Sequence, residues 1–167
     1  MRHRRPSPTR RAGFTLVEIL IVVVILGVLA AVVIPQFASA GESAKQSIFI
    51  SNLRAFSQAA AVYYHDHYAY PEDGSSGSVP AGFEDYVDET KWTRPTPIGG
   101  VWDLESNGIG GYRCAVGVHF DGTGATRDDA YMTEIDALYD DGDLAAGGFL
   151  EIADNTRYYH VIDQSTD

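Results

Sequence analysis

From Phe14 to Ile34 the chain reads FTLVEILIVVVILGVLAAVVI, 21 residues with a single ionisable side chain, Glu18. No other stretch limits the fold so strongly. As an α-helix it is about 31 Å long at ~1.5 Å per residue, the thickness of a bilayer's hydrocarbon core. Arg2, Arg4, Arg5, Arg10 and Arg11 precede the run, and acids follow it. The positive-inside bias therefore places residues 1–13 in the cytoplasm and everything after Pro35 outside.

Three kinds of segment compete for this pattern. A cleaved secretory signal would end at Ala38-Ser39-Ala40, which offers the small-residue site. Such signals, however, carry apolar regions of about 7–15 residues and no carboxylate. The second kind is a plain anchor on an extracytoplasmic domain. The third is a helix that packs among copies of itself in a filament. Glu18 bears on the choice, because an acid inside an apolar helix costs on the order of 2.5–3.5 kcal/mol on insertion. Near the cytoplasmic interface that cost shrinks, and Glu18 lies four residues past Phe14. A plain anchor still has no use for the acid.

The segment Gly13-Phe14-Thr15-Leu16-Val17-Glu18 follows a basic leader and leads into an apolar run ending Ile34-Pro35-Gln36-Phe37. It resembles the processing motif of type IV prepilins and type II secretion pseudopilins, and the resemblance covers residues 11 to 70 best. It implies that a membrane aspartyl peptidase, the prepilin peptidase, cuts between Gly13 and Phe14 and methylates the new amine of Phe14. A junction residue without a side chain lets the backbone lie flat in a protease cleft. The resemblance also implies that Glu18 neutralises the terminal amine of its own or a neighbouring subunit. An unpaired charge in an apolar core costs about 3–5 kcal/mol, so that pair would fix subunit register. Pro35 would lie in a stretch that melts during assembly. The implied partners are further pilin or pseudopilin subunits, the peptidase, an inner-membrane assembly platform and an assembly ATPase. The implied location is the bacterial inner membrane, spanned once with the N-terminus cytoplasmic and the head outside, and then the filament.

Pro35 cannot donate to the carbonyl of Ala31 and crowds that turn, so the sequence predicts a bend or loosening there. Beyond Gly41, Phe49, Leu53, Phe56, Ala60 and Tyr63 recur at helical spacing, while Glu42, Lys45, Gln46, Asn52 and Gln58 take the other faces. One helix is expected from Phe14 to about His65, with one apolar stripe under a globular head. The expected organisation is a cleaved leader at 1–13, a membrane-spanning or filament-core helix at 14–35, its amphipathic outer half at 36–65, and an extracytoplasmic head at 66–167.

In the head, Gly74-Ser75-Ser76-Gly77 predicts a turn, and Phe83–Val87 one short helical turn. Trp92 with Pro95-Thr96-Pro97 predicts an extended segment. Val101–Glu105 alternates apolar and polar residues as a strand does, and Asn107–Gly111 turns the chain into a second strand at Tyr112–Phe120. A helix is expected at Arg127–Tyr139 with Tyr131, Ile135 and Leu138 on its packed face. Residues 148–152 and 157–162 flank Asp154-Asn155-Thr156 as a hairpin. The fold class is α+β, pilin-like: one long helix, a small antiparallel sheet packed on its outer half, and a short extra helix.

Charge excludes some functions. The net charge is −11, and residues 1–13 hold five of the 12 bases and no acid, so the rest carries 12 − 5 = 7 bases against 23 acids, or −16. Such a surface disfavours direct nucleic-acid binding. Cys114 is the one cysteine, so no internal disulfide forms and it reads as a small buried hydrophobe. The missing C-terminal disulfide pair departs from many adhesive pilins, whereas Gly99-Gly100-Val101-Trp102 is similar in style to secretion pseudopilins. Asp140, Asp141 and Asp143 around Gly142 offer hard oxygens for Ca²⁺, the structural ion that the resemblance implies, although the spacing is not that of an EF-hand. A solvated acidic turn is the competing reading. His65-Asp66-His67 is read as a helix end rather than a metal site. No Ser-His-Asp set, phosphate-cradling glycine loop or cysteine cluster is apparent, and no catalysis is expected. The function expected is a structural subunit of a type II secretion pseudopilus. A type IV pilus subunit for adhesion, motility or DNA uptake is the alternative, and a tethered binding domain that never polymerises is the alternative from another class.

Overall fold

The computed structural model describes residues 13–106 and 111–164. The expected turn at Asn107–Gly111 lies almost wholly outside the described residues. The chain divides into two compact units, residues 1–41 and 42–167.

Helix α1 spans Leu16–His67 and runs unbroken through Pro35. It starts and ends within two residues of the bounds expected from the sequence. In the first unit, every large apolar side chain from Phe14 to Phe37 is at least 43% exposed. A helix that is apolar on all sides and uncovered is built for lipid or for other helices, not for water. It is long and apolar enough to cross a membrane.

In the second unit, the stripe expected along α1 is the floor of the core. Phe49, Leu53, Phe56 and Ala60 are buried and Tyr63 packs against the same cluster. Phe49 stacks on Trp102 at 5.1 Å, while Phe56 meets Trp92 at 4.8 Å and Trp102 at 5.0 Å. Full burial of one such apolar side chain contributes about 1.5–3 kcal/mol. Trp92 is not in an extended segment, as the sequence suggested. It ends the one-turn helix α2, Glu89–Trp92, whose first turn is capped by the Asp88 carboxylate accepting from Lys91 N at 3.2 Å. The indole Nε1 donates to the Ser78 carbonyl at 2.9 Å. The short turn expected at Phe83–Val87 is present as a single hydrogen-bonded turn, closed by Tyr86 N donating to Phe83 O at 3.0 Å.

Four strands follow: β1 Val101–Glu105, β2 Cys114–His119, β3 Phe149–Ala153 and β4 Arg157–Asp163. They form one antiparallel sheet in the order β1-β2-β4-β3. Because strand side chains alternate, one face sends Trp102, Leu104, Val116, Val118, Phe149 and Tyr158 into the main core. The opposite face carries Ala115, Leu150, Tyr159 and Val161 as a smaller cluster. The β3–β4 hairpin turns through Asp154 and Asn155 at φ 49° and 52°, the left-handed pair that short hairpin loops require.

Helix α3, Asp129–Tyr139, buries Met132, Ile135 and Asp136. This corrects the expected face: Ile135 is inward, but Leu138 is 59% exposed. The polar Asp136 takes the inward position that apolar periodicity assigned to Leu138. The β1 pattern also differs from the expectation of a half-solvated strand. Asp103 and Glu105 are 3% and 6% exposed, because Arg157 from β4 meets both.

Candidate functional site

The N-terminal segment is organised around Thr15 and Glu18. The Thr15 backbone N–H and hydroxyl both donate to Glu18 Oε2, at 2.7 and 2.8 Å. In return Glu18 N donates to Thr15 Oγ1 at 3.2 Å. This is a capping box, in which a Thr and a Glu three residues later satisfy amides that the first helical turn leaves open. The Thr-x-x-Glu spacing ahead of the apolar run is the sequence signal of this box. Gly13 and Phe14 lie immediately outside α1, and Phe14 is 85% exposed. A processing enzyme could reach the bond between them. Pro35 lies inside the same helix.

A second cluster lies where α3 ends. Asp136, Asp140 and Asp141 each offer a carboxylate oxygen within 4.8 Å of the others. Asp143, expected with them, does not join the group; its Oδ1 accepts from Ala145 N at 3.1 Å and caps its own turn. Asp136 was missed, since a lone acid on a helix gives no sign of burial. It is 0% exposed and neither of its oxygens has a hydrogen-bond partner among the described residues. Burial, then Asp141 and Asp140, push its carboxyl up to about 6. Asp140 also accepts from Gly148 N. Gly147 has φ +75°, and a Cβ there would stand 2.3 Å from Asp140 Oδ2 and 2.7 Å from Asp141 Oδ2. Three convergent carboxylate oxygens, one of them from a buried acid without a hydrogen-bond partner, suit a hard divalent cation such as Ca²⁺.

The sheet holds a third polar group. Tyr159 donates to Asp103 Oδ2 at 2.7 Å and Ser76 Oγ to the same oxygen at 2.8 Å. Ser76 Oγ also lies 2.9 Å from His119 Nδ1. Arg157 bonds Asp103 at 3.2 Å and reaches Glu105. Burial raises the Glu105 carboxyl, with Asp73 and Asp103 adding to it and Arg157 opposing. This network ties β1 to β4 and to the loop ahead of α2.

The other sequence candidates stay apart. His65 Nδ1 lies 3.3 Å from Asp66, and His67 Nε2 lies 3.1 Å from the Tyr86 hydroxyl, so the two rings serve different partners. Cys114 is fully buried, and burial followed by Asp163 pushes its thiol up to about 12. A thiol so protonated is a poor nucleophile.

Comparison with known proteins agrees with this geometry. Residues 8–34 match the prokaryotic N-terminal methylation motif. The type II secretion system core protein G of Aeromonas hydrophila is 32% identical over 132 residues, which cover 72% of this chain and 90% of that protein. The Pseudomonas aeruginosa core protein G is 45% identical over 62 residues, 37% of this chain and 44% of the relative, so that match spans less than half the relative's length. The type IV major pilin PilE1 of Neisseria gonorrhoeae is 36% identical over 87 residues, 50% of this chain and 48% of that one. With a methylation motif at the start of α1 and near full-length similarity to one core protein G, this chain belongs to the type IV pilin and type II secretion pseudopilin family.

Proposed function

We propose that the chain is the precursor of a structural subunit of a type II secretion pseudopilus. The prepilin peptidase cuts between Gly13 and Phe14 and methylates Phe14. The helix anchors the subunit once in the inner membrane, with the head outside. Assembly through the platform and its ATPase then moves the helix from lipid into a filament core. The subunit has no catalytic role and binds no nucleic acid. Glu18 meets the Phe14 amine of its own or a neighbouring subunit, and Pro35 lets the inner helix loosen as it leaves the membrane.

The observation that carries this reading is the uncovered apolar run from Phe14 to Phe37, interrupted by one carboxylate at the first turn. Lipid covers such a surface, and so do parallel copies, but the copies also bring a second subunit's positive amine within reach of the acid. Mass spectrometry of the mature chain tests it. The expected species begins at N-methylated Phe14. A species beginning at Gly41 would overturn the reading, since the helix would have been discarded as a secretory signal.

Asp136, Asp140 and Asp141 hold a structural Ca²⁺ in the same reading. The ion supplies charge neutralisation to a carboxylate that the fold leaves without a partner, and the three residues tie the end of α3 to the loop before β3. The similarity to PilE1 supports a type IV pilus subunit as the second reading. A secretin and an assembly ATPase encoded nearby without a retraction ATPase favour the secretion role; a retraction ATPase favours the pilus.

A further inference from the structure

Two arginines, Arg54 and Arg94, have no ion-pair carboxylate among the described residues, and Arg54 lines a groove. Lys45, Lys91, Arg113, Arg127 and Arg157 each meet a carboxylate. Among the described residues Arg54 has none, on a chain that carries a large excess of acid. Its guanidinium lies 5.2 Å from the centre of the Tyr139 ring. It lines a groove of about 410 Å³ between α1 and the end of α3, with Ser47, Ser51 and Ala55 as small residues and Leu138 as an apolar wall. An adjoining groove of about 280 Å³ shares Arg54 and Gln58 and runs on toward Tyr139 and His160.

Helix phase says what lies around this groove. Successive residues turn by about 100°, which puts Arg54 and Phe56 roughly 160° apart on α1. Phe56 packs on Trp92, and Tyr63 packs on Phe83 and Tyr86. The turn between Phe83 and Tyr86 therefore sits on the flank of α1 opposite Arg54. It carries Glu84 and Asp85, both exposed and neither with an ion-pair partner among the described residues. Between the two flanks, about 100° from Arg54, α1 presents Ile48, Ala55 and Val62. Ile48 and Val62 are each 53% exposed. One helix thus shows an uncovered apolar face, a cationic groove to one side and an anionic turn to the other.

Two different patches that complement each other make a head-to-tail contact, and such contacts generate open filaments when the rotation does not close. We propose that the groove over Arg54 receives the Glu84–Asp85 turn of a second copy of this chain, with the Ile48–Ala55–Val62 face turned toward the common axis. This rests on the filament-subunit reading and names the contact between heads. Charge complementarity sets the order of neighbours, and the small residues of the groove let the incoming turn approach closely.

The test uses the full chain in cells carrying the secretion machinery, with Gln58→Cys and Asp85→Cys introduced singly and together. Thiol oxidation is expected to give a ladder of covalent multimers from the double variant and at most dimers from either single one. Arg54→Glu is expected to cut filament yield at least tenfold, and adding Glu84→Lys with Asp85→Lys to restore it. All these positions are exposed, so melting temperatures should stay unchanged. Filaments without the ladder, or full assembly by Arg54→Glu, would overturn the proposed contact and leave the subunit reading intact. No filaments from the unsubstituted chain would remove both.

Discussion

Thr15 and Glu18 satisfy each other at the start of α1: two Thr15 groups donate to one Glu18 oxygen, and the Glu18 amide donates back to the Thr15 hydroxyl. Glu18 closes the helix end within one subunit, and the proposed filament role gives its charge a second, separable task, meeting an amine brought by assembly. A carboxamide serves the first role as well as a carboxylate does, but it carries no charge for the second.

Glu18→Gln is accordingly expected to be processed and inserted normally, yet to lose at least tenfold in filament yield by electron microscopy. Glu18→Leu should lose assembly as well, together with the cap, which is worth about 0.5–2 kcal/mol. Full assembly by Glu18→Gln would reduce Glu18 to a capping residue and remove its role in register.

Asp136 is the residue on which cation binding should depend. With calcium at about a hundredfold its dissociation constant, the unsubstituted chain gains about 2.7 kcal/mol. At this size that reads as a rise of about 2–4 °C in melting temperature per kcal/mol, lost on adding a chelator. Asp136→Asn is expected to abolish the calcium-dependent rise. In chelator it should match or exceed the parent, since it removes a buried charge with no partner. Asp143→Asn should leave the shift unchanged. A chain whose melting ignores chelator has no such site.

Arg157 holds two nearly buried carboxylates. Arg157→Met should destabilise the head by about 3–5 kcal/mol, because Asp103 and Glu105 would be left charged and unpaired. Adding Asp103→Asn and Glu105→Gln should recover a large part of that loss in chemical denaturation. If the triple variant is no more stable than the single one, the defect lies in packing and not in charge.

His119 gives a pH dependence of known sign. Burial, then Arg157, holds its imidazole below the ordinary value, against the pull of Asp103 and Asp121. The folded ring stays neutral while the unfolded one gains a proton below about 6.5. Its stabilising contribution is complete above that pH and is lost as pH falls through the folded value. The stability difference between the parent and His119→Gln should therefore shrink between about pH 7.5 and pH 5. Glu105 and Asp73 are shifted upward and act in the opposite direction, but they are present in both chains and cancel in the difference. A constant difference would place His119 outside the titrating set.

The long helix, its apolar stripe and the final hairpin were readable because each rests on a local rule. Phe49, Leu53, Phe56 and Ala60 share a face at any helical spacing of 3.6, and Asp154-Asn155 can take a tight left-handed turn without help from elsewhere. The errors fell on Leu138, Trp92, Asp103 and Asp136. Asp103 and Trp92 are buried by partners remote in sequence, Arg157 and Phe56, whereas on α3 the polar Asp136 is buried and the apolar Leu138 is left exposed.

What the sequence determined by itself is the membrane-length helix, its polarity, and the one acid at its start, since hydrophobicity and charge order act along the chain. Only the tertiary structure decided which acids gather. It took Asp143 out of the cluster and put Asp136 in, and it left Arg54 without a carboxylate while giving two to Arg157. The physical reason is that electrostatic energy depends on distance and on exclusion of water. Both are fixed only when strands and helices far apart in sequence have packed.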